Sequence, residues 1–220
     1  MVPIICIVGR SDTGKTTFIE RLLPEIKALG YKVATVKHDT HGFDVDKPGK
    51  DSWRHAQAGS DAVIISSPSK IAMIRKVENE WPLEVIAHHL ATDVDLLLTE
   101  GYKRERAPKI EVHRQVMGPE LLCSADELVA LVTDEELPLA VPQFSWDEAA
   151  AVARLIEERF LRPRDGYSAS LLVNGDRVNL DPSEEEFLGV SLGGIGTSLA
   201  DVTRVESLDV RMERRGDQKK

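Results

Sequence analysis

Short apolar runs alternate with amphipathic stretches along most of this chain. The segments Ile4–Val8, Lys32–Val36, Ala62–Ser66, Ala72–Arg75, Leu96–Thr99, Ile110–Val112 and Val129–Val132 read as strands. Strands of this kind, separated by helical stretches, suit a mainly parallel sheet covered on both faces by crossover helices. The pattern therefore predicts a three-layer α/β fold through about residue 160. A first helix follows Thr16, placing Phe18, Leu22, Ile26 and Leu29 at helical spacing and stopping at Gly30, with Pro24 expected to kink it. A second helix is predicted over Leu83–Leu90. A third, over Asp147–Phe160, gathers Ala149, Val152, Ala153 and Ile156 on one face before Pro163 closes the domain.

Beyond Arg162–Asp165 the pattern changes. Ser168–Val173 and Arg177–Leu180 flank Asn174-Gly175, a strong signal for a tight hairpin because both residues tolerate positive φ. A helix beginning near Pro182–Glu186, weakened by Gly193, Gly194 and Gly196, and a strand carrying Leu208, Val210 and Met212 complete an expected ββαβ appendage. The expected organisation is a principal domain over 1–162, a small α+β extension over 166–212 and a disordered tail over 213–220.

With 220 residues, one α/β domain and a small appendage fit, but not two full catalytic domains. A formal charge of −9 argues against nucleic acid or an anionic membrane as the partner. Cys6, in an apolar run, and Cys123, in a polar loop, form no disulfide framework and no metal-ligand spacing. The opening run is too short to span a membrane and leads into a glycine loop. A cytoplasmic location is the expectation.

That loop, Gly9-Arg10-Ser11-Asp12-Thr13-Gly14-Lys15-Thr16, is a complete Walker A motif between an apolar strand and an amphipathic helix. Its glycines let backbone N–H groups turn onto phosphate oxygens, and the helix N-terminus adds its positive end. Lys15 is expected to reach the β- and γ-phosphates and the Thr16 hydroxyl to ligate Mg²⁺. The acidic partner of such a site ends a neighbouring strand, and Leu96–Thr99 runs into Glu100. Asp95 begins that strand, at the wrong edge of a parallel sheet.

Lys37 through Asp46 leave the carboxyl end of the second strand on the same edge. Lys37 and His38 are candidates for phosphate or an acidic ligand, and Asp39 or Asp46 for orienting metal-bound water. A zinc site from His38, His41 and an aspartate fits no usual ligand spacing. Asp51 or Ser52 is expected to cap a short helix, unless Asp51 works near the phosphates. His88 and His89 read as surface or core residues. Lys103, Arg104 and Arg106 form a basic cluster that could meet a triphosphate or an anionic partner, with a solvated loop as the simpler account.

In order, these segments resemble the molybdopterin-guanine dinucleotide biosynthesis protein B (MobB) family. The likeness rests on the Walker A loop, Val36-Lys37-His38-Asp39, Gly49-Lys50-Asp51-Ser52 with Arg54-His55, Thr99-Glu100-Gly101-Tyr102-Lys103, and Pro108 through Arg114. It is extended by the strand ending in Thr133-Asp134. The resemblance implies a P-loop nucleotide-binding fold, a homodimer, GTP and Mg²⁺ as ligands, weak hydrolysis, and service to a molybdopterin guanylyltransferase, with molybdopterin as a further candidate ligand. Carried over, the nucleotide site comprises Gly9, Asp12, Thr13, Gly14, Lys15 and Thr16, with Thr17 beside them and Glu100 toward the metal. Lys15, Asp39 and Glu100 are the candidates for any catalytic step. No Asn-Lys-x-Asp element is present, so Asp134 is the candidate acceptor for the guanine N1–H and N2–H₂. The segment from Tyr167 onward departs from the shortest family members.

Two other functions use the same constellation. One is an ATP-dependent small-molecule kinase, which needs an arginine lid, with Arg104 and Arg106 the compact candidates. The other is a nucleotide-stabilised interaction module with no turnover.

Overall fold

A computed structural model describes residues 2–39, 42–90, 94–161, 171–173, 176–178 and 180–200. Six strands form the main sheet: β1 (Ile4–Val8), β2 (Val33–Lys37), β5 (Leu96–Glu100), β6 (Lys109–Val112), β7 (Leu128–Val132) and β8 (Gln143–Phe144). Their order is β2-β5-β1-β6-β7-β8, and every neighbouring pair is parallel. All carboxyl ends therefore meet along one edge.

Helices α1 (Lys15–Ala28) and α4 (Ala149–Ile156) cover one face. There Phe18, Leu22 and Ile26 of α1 and Val152, Ala153 and Ile156 of α4 close over Ile5, Ile7, Leu98, Ile110 and Val132. Pro24 lies inside α1 on its solvent side, and the helix continues through it. Leu29, expected in the buried stripe, is instead exposed as the C-cap, and Gly30 follows in the left-handed region at φ 96°. The third predicted helix begins two residues later than expected. Its first turn follows a Ser145–Glu148 reciprocal cap, in which Ser145 N–H donates to the Glu148 carboxylate at 2.7 Å and Glu148 N–H donates to Ser145 O. A π-helical turn at Glu157–Leu161 extends it.

The opposite face carries α3 (Leu83–Leu90), whose Leu83 and Ala87 pack with Val2, Cys6, Val8, Leu97 and Tyr102. Over β6, loop 113–127 takes the place of a helix. Lys109, Glu111 and His113 point to this side and are buried. Lys109 Nζ donates to Glu127 at 2.7 Å, and Glu111 accepts the N–H groups of Leu122 and Cys123 at 2.8 and 3.0 Å. His113 Nε2 lies 2.9 Å from Glu135. Cys123, read as part of a polar loop, is thereby buried, and burial pushes its thiol up to about 11.

The segments Ala62–Ser66 and Ala72–Arg75 were expected in the main sheet. They form β3 (Ala62–Ser67) and β4 (Lys70–Arg75), an antiparallel pair bonded only to each other. An apolar run specifies a strand but not its neighbour. The short helix α2 (Asp51–Gln57) precedes them. Its N-cap is Lys50 with no side-chain cap, so neither Asp51 nor Ser52 caps it, and Asp51 instead pairs with Arg54 at 3.6 Å.

In the C-terminal segment β9 (Leu171–Val173) and β10 (Asp176–Val178) pair antiparallel, matching Val173 with Asp176 as a two-residue connection requires. Helix α5 (Pro182–Ala200) runs through Gly193, Gly194 and Gly196. Asp181 caps it, accepting from Ser183 N–H at 2.8 Å and Glu184 N–H at 3.0 Å, while Glu184 accepts from Asp181 N–H. The expected strand at 208–212 and the tail lie outside the described residues. No helix among the described residues is long and apolar enough to cross a membrane.

Candidate functional site

The loop after β1 is shaped by backbone that only glycine adopts freely. At Gly9, φ is 151° and a Cβ would fall 2.4 Å from Val112 O; at Gly14, φ is 88° and a Cβ would fall 2.5 Å from the Trp146 ring. Asp12 also takes positive φ, at 62°. The buried Thr13 hydroxyl donates to Arg10 O at 3.0 Å, and Lys15 Nζ donates to the same oxygen at 2.7 Å. The lysine is thus folded back across the loop it would share with a phosphate. Burial pulls its ammonium below the ordinary lysine value, with Glu100 and Asp12 opposing that shift and Lys37 adding to it. No side chain caps α1, so its first-turn N–H groups face the loop without a competing side-chain acceptor. Thr16 and Thr17 are exposed in that first turn.

One side of the loop carries the acidic group. β5 lies beside β1 and brings Glu100 opposite Ile7; β2 lies beyond it and pairs Lys37 with Glu100. Thr16 Oγ1 is 2.9 Å from both Glu100 carboxylate oxygens, and Lys37 Nζ is 3.6 Å from Oε1. The Glu100 side chain is 16% exposed. A hydroxyl and a carboxylate meeting in a phosphate loop form an all-oxygen donor set, which suits Mg²⁺. Asp95 stands at the opposite edge, where it accepts from Lys32 N–H at 2.7 Å. Asp39 is exposed two residues past Lys37, and Asp46 is half-buried.

Behind Glu100, Gly101 is in the left-handed region and a Cβ there would press on His38 Cβ at 3.1 Å. Tyr102, itself at φ 58°, stacks on the His38 ring at 4.7 Å. Glu80 holds both: His38 Nε2 is 3.1 Å from its Oε1, and the Tyr102 hydroxyl hydrogen-bonds it. Burial, then the Glu80 charge, pushes Tyr102 up to about 12. Lys103, Arg104 and Arg106 are exposed, as are His88 and His89. His41 lies outside the described residues.

The other side of the loop gathers three strand ends. Asp134, after β7, accepts from Gln115 N–H at 2.7 Å, and its Oδ2 lies 3.8 Å from Arg114 Nη1. Arg114, after β6, donates from Nε to Thr13 O at 3.5 Å and lies over the Trp146 ring with its Cζ 4.2 Å from the centroid. Trp146, after β8, packs edge-on to Phe18 at 6.0 Å. Arg10 turns out of the loop, donating to Met117 O at 3.0 Å and Glu120 at 3.2 Å. Sequence reasoning gave Arg114 and Trp146 no role. A tryptophan just past a two-residue strand carries no motif that would single it out.

Among known proteins, the family model described as molybdopterin guanine dinucleotide synthesis protein B (MobB) matches residues 4–134, more than half of the chain. The chain is 36% identical over 157 residues to the molybdopterin-guanine dinucleotide biosynthesis adapter protein of Haemophilus influenzae, covering 71% of this chain and 88% of that one. To the Escherichia coli protein of the same name it is 34% identical over 163 residues, covering 72% and 93%. A crystal structure of molybdopterin-guanine biosynthesis protein B superposes with a TM-score of 0.56 at 32% identity, over 70% of this chain and 97% of that one. Bacillus subtilis MobB, at 24% identity, shares the fold with a TM-score of 0.58 over 73% and 99%. The chain belongs to the MobB family.

Proposed function

We propose that this protein binds GTP with Mg²⁺ in the loop at 9–16 and acts as an adaptor in molybdenum cofactor biosynthesis, assisting a guanylyltransferase that forms molybdopterin guanine dinucleotide. The observation that carries the nucleotide reading is the meeting of Thr16 Oγ1 with both oxygens of Glu100 at 2.9 Å beside the Lys15 loop. The adaptor reading rests on family membership and on the adapter names of the relatives.

On this reading the glycine-permitted turns and the α1 N-terminus hold the phosphates, and Lys15 exchanges Arg10 O for a phosphate oxygen. Thr16 would hold Mg²⁺ and Glu100 would hold its water shell; the ion would supply neutralising charge to the phosphates. Asp134 is the acceptor for the guanine edge. Hydrolysis is slow, because Asp39, the candidate for orienting water, is exposed beyond the end of β2. The protein works as a homodimer in the cytoplasm.

The test is titration of the purified protein with GTP and ATP in Mg²⁺, then single-turnover phosphate release with and without a molybdopterin guanylyltransferase. GTP preference with slow release that changes on adding the partner is the expected result. ATP preference, or indifference to that enzyme, sinks the adaptor reading in favour of a kinase or another client.

A further inference from the structure

The two sides of the phosphate loop differ in chemistry. Glu100 and Lys37 end strands on one side of β1, while Arg114, Asp134 and Trp146 follow β6, β7 and β8 on the other. A ligand with phosphates in the loop and its metal toward Glu100 extends its remaining part toward the second group, along the carboxyl edge where ligands of parallel sheets lie.

That group contains a cation–π pair. The Trp146 ring rests against Gly14, and Arg114 lies over the ring at 4.2 Å with 40% of its side chain still exposed. The guanidinium is therefore covered by the indole on one side while the side chain stays open to solvent. Its Nε reaches Thr13 O at 3.5 Å and its Nη1 lies 3.8 Å from the Asp134 carboxylate. Among the described residues the buried Trp146 Nε1 has no hydrogen-bond partner, which is costly, so the ring is placed for its faces and not for its polar edge.

We infer that the open face of the Arg114 guanidinium, backed by Trp146, is the platform on which the nucleobase stacks. Guanidinium planes stack on aromatic rings and bases, and a lysine ammonium does not reproduce that plane. The inference rests on the nucleotide-binding reading above and adds to it a division of labour: Arg114 senses the plane of a base, and Asp134 senses its edge. A stacking platform favours any purine nucleotide over bare phosphate but does not tell guanine from adenine.

Arg114→Lys keeps the charge and removes the plane. Calorimetric titration of this variant and of the wild type with Mg²⁺ and GTP, ATP or inorganic tripolyphosphate, which has no base, tests the assignment. The expected result is a loss of about five- to hundred-fold for GTP and for ATP alike, the range of a lost base stack, with tripolyphosphate affinity within about two-fold of wild type. Equal loss for all three ligands makes Arg114 a phosphate or loop-holding residue and overturns the platform, as does no loss for any. Lys15→Ala, titrated in parallel, separates this failure from that of the underlying reading. If GTP and tripolyphosphate bind Lys15→Ala as tightly as wild type, the phosphate loop itself is misassigned.

Discussion

Both carboxylate oxygens of Glu100 face the Thr16 hydroxyl at 2.9 Å, and Lys37 stands 3.6 Å from one of them. A carboxylate so placed acts on a metal's water shell without touching the phosphates, so its charge matters most when the metal is present. Glu100→Gln preserves size and most hydrogen bonding and removes that charge. It is expected to weaken Mg²⁺-dependent GTP binding by about ten- to hundred-fold, the usual cost of losing an outer-sphere partner, and to change metal-free binding far less. Titrations with Mg²⁺ and with EDTA read the difference, and equal losses in the two would remove Glu100 from the metal's surroundings. Lys15 presents a related point. Its ammonium is held by Arg10 O at 2.7 Å, so an arriving phosphate displaces a bond that already exists and must supply a stronger, charge-assisted one.

At the scale of elements, β6 shows how a strand can be covered without a helix. Its inner side is apolar, with Ile110 and Val112, while Lys109 and Glu111 on the other side each bind a piece of the loop that follows and His113 meets Glu135 beyond β7. The hydrogen bond from Lys109, followed by those from Ser124, holds the Glu127 carboxyl down at about 2, against an ordinary value of 4.5. A depressed folded-state value stabilises the fold above pH 4.5, and that contribution is lost as pH falls toward 2. The melting temperature of wild type should therefore exceed that of Glu127→Gln at pH 6, with the gap closing between pH 4.5 and 2. A gap that stays constant across that window would show that Glu127 does not anchor the loop through its charge. The strands β1, β5 and β7 were legible as apolar runs to within one residue, because strands buried on both faces need such runs. The two-residue β8 has no run to read, and the separate pairing of β3 with β4 depends on neighbours that a local pattern does not encode. The same limit hid the Arg114–Trp146 stack. Those residues are far apart in sequence and meet only because β6, β7 and β8 lie side by side.

For the whole molecule, the unresolved demand is the hairpin β3–β4. Ile64 pairs with Met73 and Ser66 with Ile71, which puts Ile64, Ile71 and Met73 on one face at 59, 68 and 56% exposure. A two-stranded sheet does not bury its own faces, and both of its edges are open. A net charge of −9 opposes self-association in general, so a dimer of this chain must rely on an apolar, self-complementary patch. That makes this hairpin the face on which to test the proposed homodimer. The doubly substituted Ile71→Asp, Met73→Asp protein is expected to sediment as a monomer with its main sheet intact, since no strand of that sheet bonds to β3 or β4. Persistence of the dimer mass would place the interface elsewhere. The hairpin is also tied to the nucleotide edge, because the segment leaving β4 carries Glu80 to His38 and Tyr102, immediately beside Glu100. If that tie transmits the state of the interface, the monomeric variant should also bind Mg²⁺-GTP with altered affinity while Mg²⁺-independent binding stays unchanged. An identical Mg²⁺-GTP affinity in monomer and dimer would confine the hairpin to assembly alone.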